Sequence, residues 1–310
     1  MTDHPIDVVH VGSAARDLTE DDPRGWRLGG GVSYGAFTTA RLGLRTAAIV
    51  GVDGPAASAS ELDLLRAAWV ELLLVDLDEG PIFRNQETPA GRVQAWPARG
   101  RPLPVPVVPV AWREARAWSL VPVASEIGDG WASVVPHAAF TSLAWQGLLR
   151  EQGPGQLTQR RAPGPSALLD LADLVGVSRH DLAAGTRLSA VTRLLRPTAR
   201  LALTDGHDGG RLLTVMPGGR NRFTSWAAVA PDRVVDPTGA GDVFLAALLS
   251  AIVRPDLTTQ AVPRRPVADL AFAATVASFV VEAPGLAGVP DGDAVRARLA
   301  FGGRVESRPA

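Results

Sequence analysis

The residues best placed to do chemistry stand in one short stretch, Asp236 to Leu249, "DPTGAGDVFLAALL". A glycine inside a helix costs about 1 kcal/mol relative to alanine, whereas at a helix start it costs little. The pair around Ala240 therefore places bare backbone at the mouth of a helix. From Asp242 onward, "DVFLAALLSAIV" is apolar all round, the pattern of a helix buried within a layered fold. The first turn of such a helix leaves amide groups unpaired. Gly239, Ala240 and Gly241 carry no side chain large enough to keep a ligand from those amides, so the stretch can form an anion hole with a carboxylate, Asp242, beside it. Thr238 or Asp236 could cap the helix, and Asp242 could simply complement its macrodipole. That plainer explanation covers a bare G-x-G-D, but the complete string is far more specific.

The elements that must hold this mouth are visible as aliphatic runs: "IDVVHVG", "TAAIVGV", "VELLLVDL", "AWSLVPV", "HAAFTSLA", "DLVGVS" and "RLALTDG". Near-continuous apolar strands separated by helix-length segments predict parallel strands buried on both faces, hence a doubly wound α/β sheet. Nothing divides the chain into two cores, so residues 1–310 are expected to form a single domain. Two segments break the rhythm. Residues 80–104, rich in turn formers and polar groups, predict a small hairpin that could act as a lid. Residues 151–166, "EQGPGQLTQRRAPGPS", predict an exposed loop or a short hairpin.

Composition excludes several classes of function. A net charge of -1 with acids and bases interspersed gives no footprint for nucleic acid or a membrane surface. No apolar run approaches the roughly 18 residues needed to span a bilayer, and the N-terminus has no basic start before a long apolar core, so the cytoplasm is the expected location. Cysteine is absent, and every one of the 31 basic residues is arginine. Without lysine there is no Walker A loop, no protein-kinase strand lysine and no Schiff base. Any direct cationic contact to phosphate must be an arginine, and the chain does not say which.

"DPTGAGDVFLAALL" resembles the C-terminal signature of the ribokinase, or PfkB, family of carbohydrate kinases. The resemblance implies a ribokinase-like fold with a small β lid, in segments of roughly 16–30 and 80–104. It implies that Gly239, Ala240 and Gly241 bind the transferred phosphate and that Asp242 is the catalytic base. "LGGGVSYGAFTTARLG" is similar to the family's first signature, which assigns Gly29 and Gly30 to the approach of substrate hydroxyls. Tyr34 then stands where ribokinase carries a sugar-binding Asn. "VGSAARDL" is similar to the family's first strand, with Asp17 in the position that accepts from two hydroxyls. "LALTDGHDGGRLL" resembles the strand and hairpin beside the nucleotide, placing Thr204, Asp205 and Gly206 near the triphosphate, with Asp236 and Thr238 also on the cofactor side. His207, in a polar turn, takes no role.

There is one departure. At "LVGVSRHDL", where the family carries Asn-x-x-Glu, this chain has Ser178 and Asp181, so Asp181 is expected to reach a metal through water. The middle of the chain, "FRNQETPAGRVQAWPARG" and "SLAWQGLLR", is similar to the branch that includes myo-inositol kinase. That likeness places Asn85, Arg92 and Gln94 on the lid and Glu126 and Gln146 near the pocket rim. The implied activity is ATP- and Mg²⁺-dependent phosphorylation of a small sugar or cyclitol by a monomer or homodimer, with K⁺ as a further ion near Asp236 and "EAPGLAGVP". The alternatives are a nucleoside kinase, in which Tyr34 stacks on a base, and a non-catalytic sensor of sugar or nucleotide. A Rossmann dehydrogenase fails, because "GGGVSYG" does not keep the G-x-G-x-x-G spacing.

Overall fold

All seven apolar runs are strands of one sheet. The structure, a computed structural model, describes residues 5–88, 91–217, 221–258 and 266–301. In chain order the strands are β1 (Val8–Ser13), β2 (Ala15–Leu18), β3 (Trp26–Gly29), β4 (Thr46–Val52), β5 (Glu71–Asp76), β6 (Ile82–Thr88), β7 (Gly91–Ala98), β8 (Ala117–Leu120), β9 (Phe140–Ala144), β10 (Arg150–Gln152), β11 (Thr158–Arg160), β12 (Leu174–Ser178), β13 (Arg200–Thr204), β14 (Gly210–Val215) and β15 (Asn221–Trp226). The main sheet runs β15-β14-β13-β12-β9-β8-β1-β4-β5. Its strands from β13 to β5 are mutually parallel, and β14 and β15 add an antiparallel hairpin at one edge.

Successive side chains of each strand enter different cores. On β1, Val8 packs with the helices Gly31–Arg41, Ala240–Val253 and Val267–Val280, whereas Val9 and Val11 pack on the opposite face. Burial on both faces is why no alternation shows in the sequence. The second face departs from the expected helix-length connections. It carries only short helices, Ala167–Leu171 and Leu188–Thr192, and is filled instead by Trp112, Trp118, Trp131 and Trp145. Indole rings each bury about 150–250 Å², so Trp112, Trp131 and Trp145, on short turns, and Trp118, on β8 itself, fill space that a longer helix would otherwise cover.

The two segments expected to form a lid make one small sheet, ordered β3-β2-β6-β7. It starts a single residue beyond the carboxyl end of β1 and has its own small core, in which Phe83 stacks on the buried Trp96 at 5.5 Å. The 151–166 region contains a hairpin, β10 with β11, that docks on the outer strand of this sheet. Ala95 bridges Leu157, and Gln152 Nε2 donates to the Trp96 carbonyl at 2.5 Å. An edge strand with unpaired backbone groups is thereby partly covered.

Candidate active site

The helix mouth forms as expected, but without a side-chain cap. Gly239 takes φ 82°, the left-handed conformation that glycine adopts without strain, and begins the helix Ala240–Val253. Gly239 itself has no side chain with which to cap the first-turn amides. Asp236 Oδ1 instead accepts from the Thr238 amide at 2.9 Å, and the amides of Val235 and Asp236 both donate to the Val281 carbonyl at 2.7 and 3.1 Å. The turn is thus braced from behind. Its front is backed by Tyr34, against whose ring a Cβ on Gly239 would collide.

A second glycine turn meets the first. Gly30, at φ 92°, passes so close to β1 that a Cβ would lie 2.6 Å from the Ser13 carbonyl. It opens the helix Gly31–Arg41, whose first residue faces Asp242: a Cβ on Gly31 would fall 2.8 Å from Asp242 Oδ1. A Cβ on Gly29 would run into the carboxylate of Asp17. Two carboxylates from distant parts of the chain therefore flank three consecutive glycines.

Burial raises the Asp242 pKa to about 6, with the Arg150 charge pulling it down and the Asp181 charge pushing it up. A carboxyl poised near neutrality suits a proton acceptor. Tyr34 is only 2% exposed. Burial lifts its phenol well above the usual value, and the charges of Asp17, Asp236 and Asp242 add to the effect. The ring lies against the Gly239 turn.

Asp181 follows β12, next to the carboxyl end of β13 where Thr204 stands. Its carboxylate is already engaged: Gln146 Nε2 donates to both oxygens at 2.9 and 3.0 Å, and Arg150 donates to Oδ1 at 2.9 Å. Ser178 caps the turn that carries it, accepting from the His180 amide. Arg150 had no role from the sequence, although it ends the quoted run "SLAWQGLLR"; its only signal was position after Gln146. Asp205 pairs with Arg179 at 2.8 Å, and Gly206, at φ 57°, borders open space. His207 is exposed, its ring 3.7 Å from the Asp208 carboxylate.

Other expected residues lie further off. Asn85 accepts from Gln94 across β6 and β7 at 2.9 Å. Arg92 is on β7 opposite Glu87, and its side chain lies outside the described residues. Glu126 is buried at 3% exposure, not at a rim. It accepts amides of Ser13, Val123 and Ala124, bolting the end of β1 to the next strand's loop, and burial raises its pKa. Among the described residues no three His, Asp or Glu side chains cluster as a metal cage, and no helix is long and apolar enough to cross a membrane.

A large, mostly parallel sheet with helices and a small extra sheet, and a glycine-built helix mouth at the carboxyl ends of its strands, define the ribokinase-like fold. A family model described as "pfkB family carbohydrate kinase" matches residues 133–291, just over half of the chain, and the chain belongs to that family. Among solved structures it is similar to a pyrophosphate-dependent kinase of the ribokinase family complexed with a pyrophosphate analogue and myo-inositol, at 20% identity and TM-score 0.71, covering 94% of this chain and 99% of that one. It is also similar to Arabidopsis thaliana ribokinase complexed with ribose and ATP, at 19% identity and TM-score 0.66, covering 96% and 100%. Methanocaldococcus jannaschii nucleoside kinase follows at 16% identity and TM-score 0.63, covering 96% and 99%. No curated protein sequence matches.

Proposed function

We propose that this protein transfers a phosphoryl group from ATP to a hydroxyl of a small sugar or cyclitol. The observation that carries the reading is the apposition of the Asp242 carboxylate, at the start of the helix that Gly239 opens, and the Gly29–Gly31 turn. In this reading Asp242 accepts the hydroxyl proton as the oxygen attacks, and the amides of Gly239, Ala240 and Gly241 stabilise charge on the moving phosphoryl group. Asp17 accepts from acceptor hydroxyls, and Gly29 and Gly30 let the ring approach the backbone. Tyr34 supports the Gly239 turn. The small sheet, with Asn85 and Arg92, acts as a lid of a single domain and limits water at the reacting centre.

On the donor side stand Thr204, Gly206, Asp236 and Thr238. Mg²⁺ binds mainly through phosphates and retained waters; with Asp181 already held by Arg150 and Gln146, the metal's contacts come chiefly from the donor. K⁺ is proposed beside Asp236 and the 282–290 loop, and equal rates in sodium and potassium buffers would remove it.

Two of the similar structures bear on the choice of donor and acceptor, since one was solved with a pyrophosphate analogue and myo-inositol and another with ribose and ATP. The test is a matrix of cyclitols, sugars and nucleosides against ATP and pyrophosphate, read by ³¹P NMR. Phosphorylation of a cyclitol or sugar supports the reading. Ligand binding without product from any pair would favour the sensor instead, for which the engaged Asp181 is the supporting observation.

A further inference from the structure

We propose that Arg150 is the cation that meets the terminal phosphate of the donor, and that Asp181 and Gln146 are positioning residues that hold it ready. The inference rests on the phosphotransferase reading of Asp242 and the Gly239 turn. A chain without lysine must neutralise a polyphosphate with arginine. Arginine presents five N–H donors in a fixed plane, suited to phosphate oxygens.

The candidates separate by what they already bind. Arg16 spends two nitrogens on Asp53, at 3.1 and 2.7 Å. Arg179 pairs with Asp205 from a largely exposed position. Arg27 is paired with Asp21 at 3.8 Å, on the small-sheet side. Of these four, Arg150 combines a largely buried side chain, 18% exposed, with a place beside Asp181 after the carboxyl end of β12, where its charge reaches Asp242. In the described hydrogen bonds it uses one terminal nitrogen, toward Asp181.

The arrangement around it is that of a holder. Gln146 pins both oxygens of Asp181, so the carboxylate cannot rotate away from the guanidinium. The backbone is fixed as well, because Arg150 opens β10, whose hairpin is bonded to the small sheet through Gln152. A partly buried ion pair is no stronger a stabiliser than a well-packed apolar pair. Stability therefore gives little reason to keep this one near the Asp242 carboxylate, whereas phosphate binding does.

The test titrates inorganic tripolyphosphate calorimetrically into the full chain, with turnover measured in parallel. Arg150→Met is expected to weaken binding at least tenfold and Arg150→Lys by less. The double variant Arg150→Met/Asp181→Asn leaves no unpaired buried charge, so it keeps the weak binding while folding as wild type does. Asp181→Asn is expected to keep wild-type affinity within threefold but to lose kcat about tenfold. Its rate should also half-saturate at lower pH, because the charge that raises the Asp242 pKa is gone. Wild-type affinity in both Arg150→Met and the double variant would overturn the proposal even if the enzyme turns over. Binding that depends on Arg150 in a protein that phosphorylates nothing would uphold it and sink the kinase reading. Unchanged kcat and pH profile in Asp181→Asn would remove the positioning role.

Discussion

Gly31 and Asp242 begin two different helices and face each other so closely that one methyl group would touch the carboxylate, 2.8 Å from Oδ1. Val121 crowds the same position from another side, at 3.2 Å. Gly31→Ala should therefore push Asp242 off its line to the acceptor. A misplacement of about 1 Å costs on the order of 10²-fold in rate, and that loss is expected in kcat/KM, with the far-UV circular dichroism unchanged. Activity within threefold of wild type would show that the contact has slack.

Asp242→Asn should abolish turnover and at the same time raise the melting temperature at neutral pH. The sign follows from the raised pKa. Between the ordinary carboxyl value of 3.8 and about 6, the folded state binds the proton more tightly than the unfolded chain, so ionisation at higher pH works against folding. The kcat of the wild type should fall as pH drops below about 6, where the carboxyl is protonated in the folded protein. A melting temperature lowered by Asp242→Asn would contradict the assignment of burial as the cause.

Tyr34 is the single tyrosine of the chain, which gives its phenol a clean optical signature. Burial and three nearby carboxylates hold it neutral. In an alkaline titration followed by ultraviolet difference absorbance, the tyrosinate band should stay absent past pH 10 in the folded protein and appear normally in urea. Gly239→Ala forces a side chain into that ring and a left-handed backbone that costs about 1–2 kcal/mol; a drop in melting temperature together with lost turnover is expected.

His10, in the middle of β1, is fully buried against the helix Gly31–Arg41, where its Nε2 lies 3.1 Å from Thr39 Oγ1. Burial lowers its pKa to about 3. The folded ring stays neutral while the unfolded one gains a proton below pH 6.5, so stability is full above that value and declines as pH falls toward 3. The slope from this one group approaches about 1.4 kcal/mol per pH unit. Chemical denaturation at pH 7, 6 and 5 should show it, and His10→Gln should flatten the decline.

The apolar runs led directly to the seven parallel strands, because a strand buried on both faces must be aliphatic along its whole length. The helix after Asp242 was equally legible, since residues Val243 to Ala251 are all buried. The covering of the second face was not. A sequence reader expects helices between parallel strands, and here Trp112, Trp131 and Trp145 do that work from short turns. Glu126 was expected near the pocket rim from the resemblance of its segment to one branch of the family, but a motif does not reveal that a carboxylate is buried with backbone amides of Ser13, Val123 and Ala124 as its partners.

The sequence by itself determined the reaction-bearing unit: small residues and an aspartate at the start of an apolar helix are a local pattern, dictated by backbone freedom and helix periodicity. It also determined that any phosphate-binding cation is an arginine. Only the tertiary structure decided which groups meet, because Gly31 facing Asp242 and Arg150 pairing with Asp181 depend on how helices and strand ends pack across the sheet. Those pairings are set by the space that neighbouring side chains leave. No spacing along the chain encodes them.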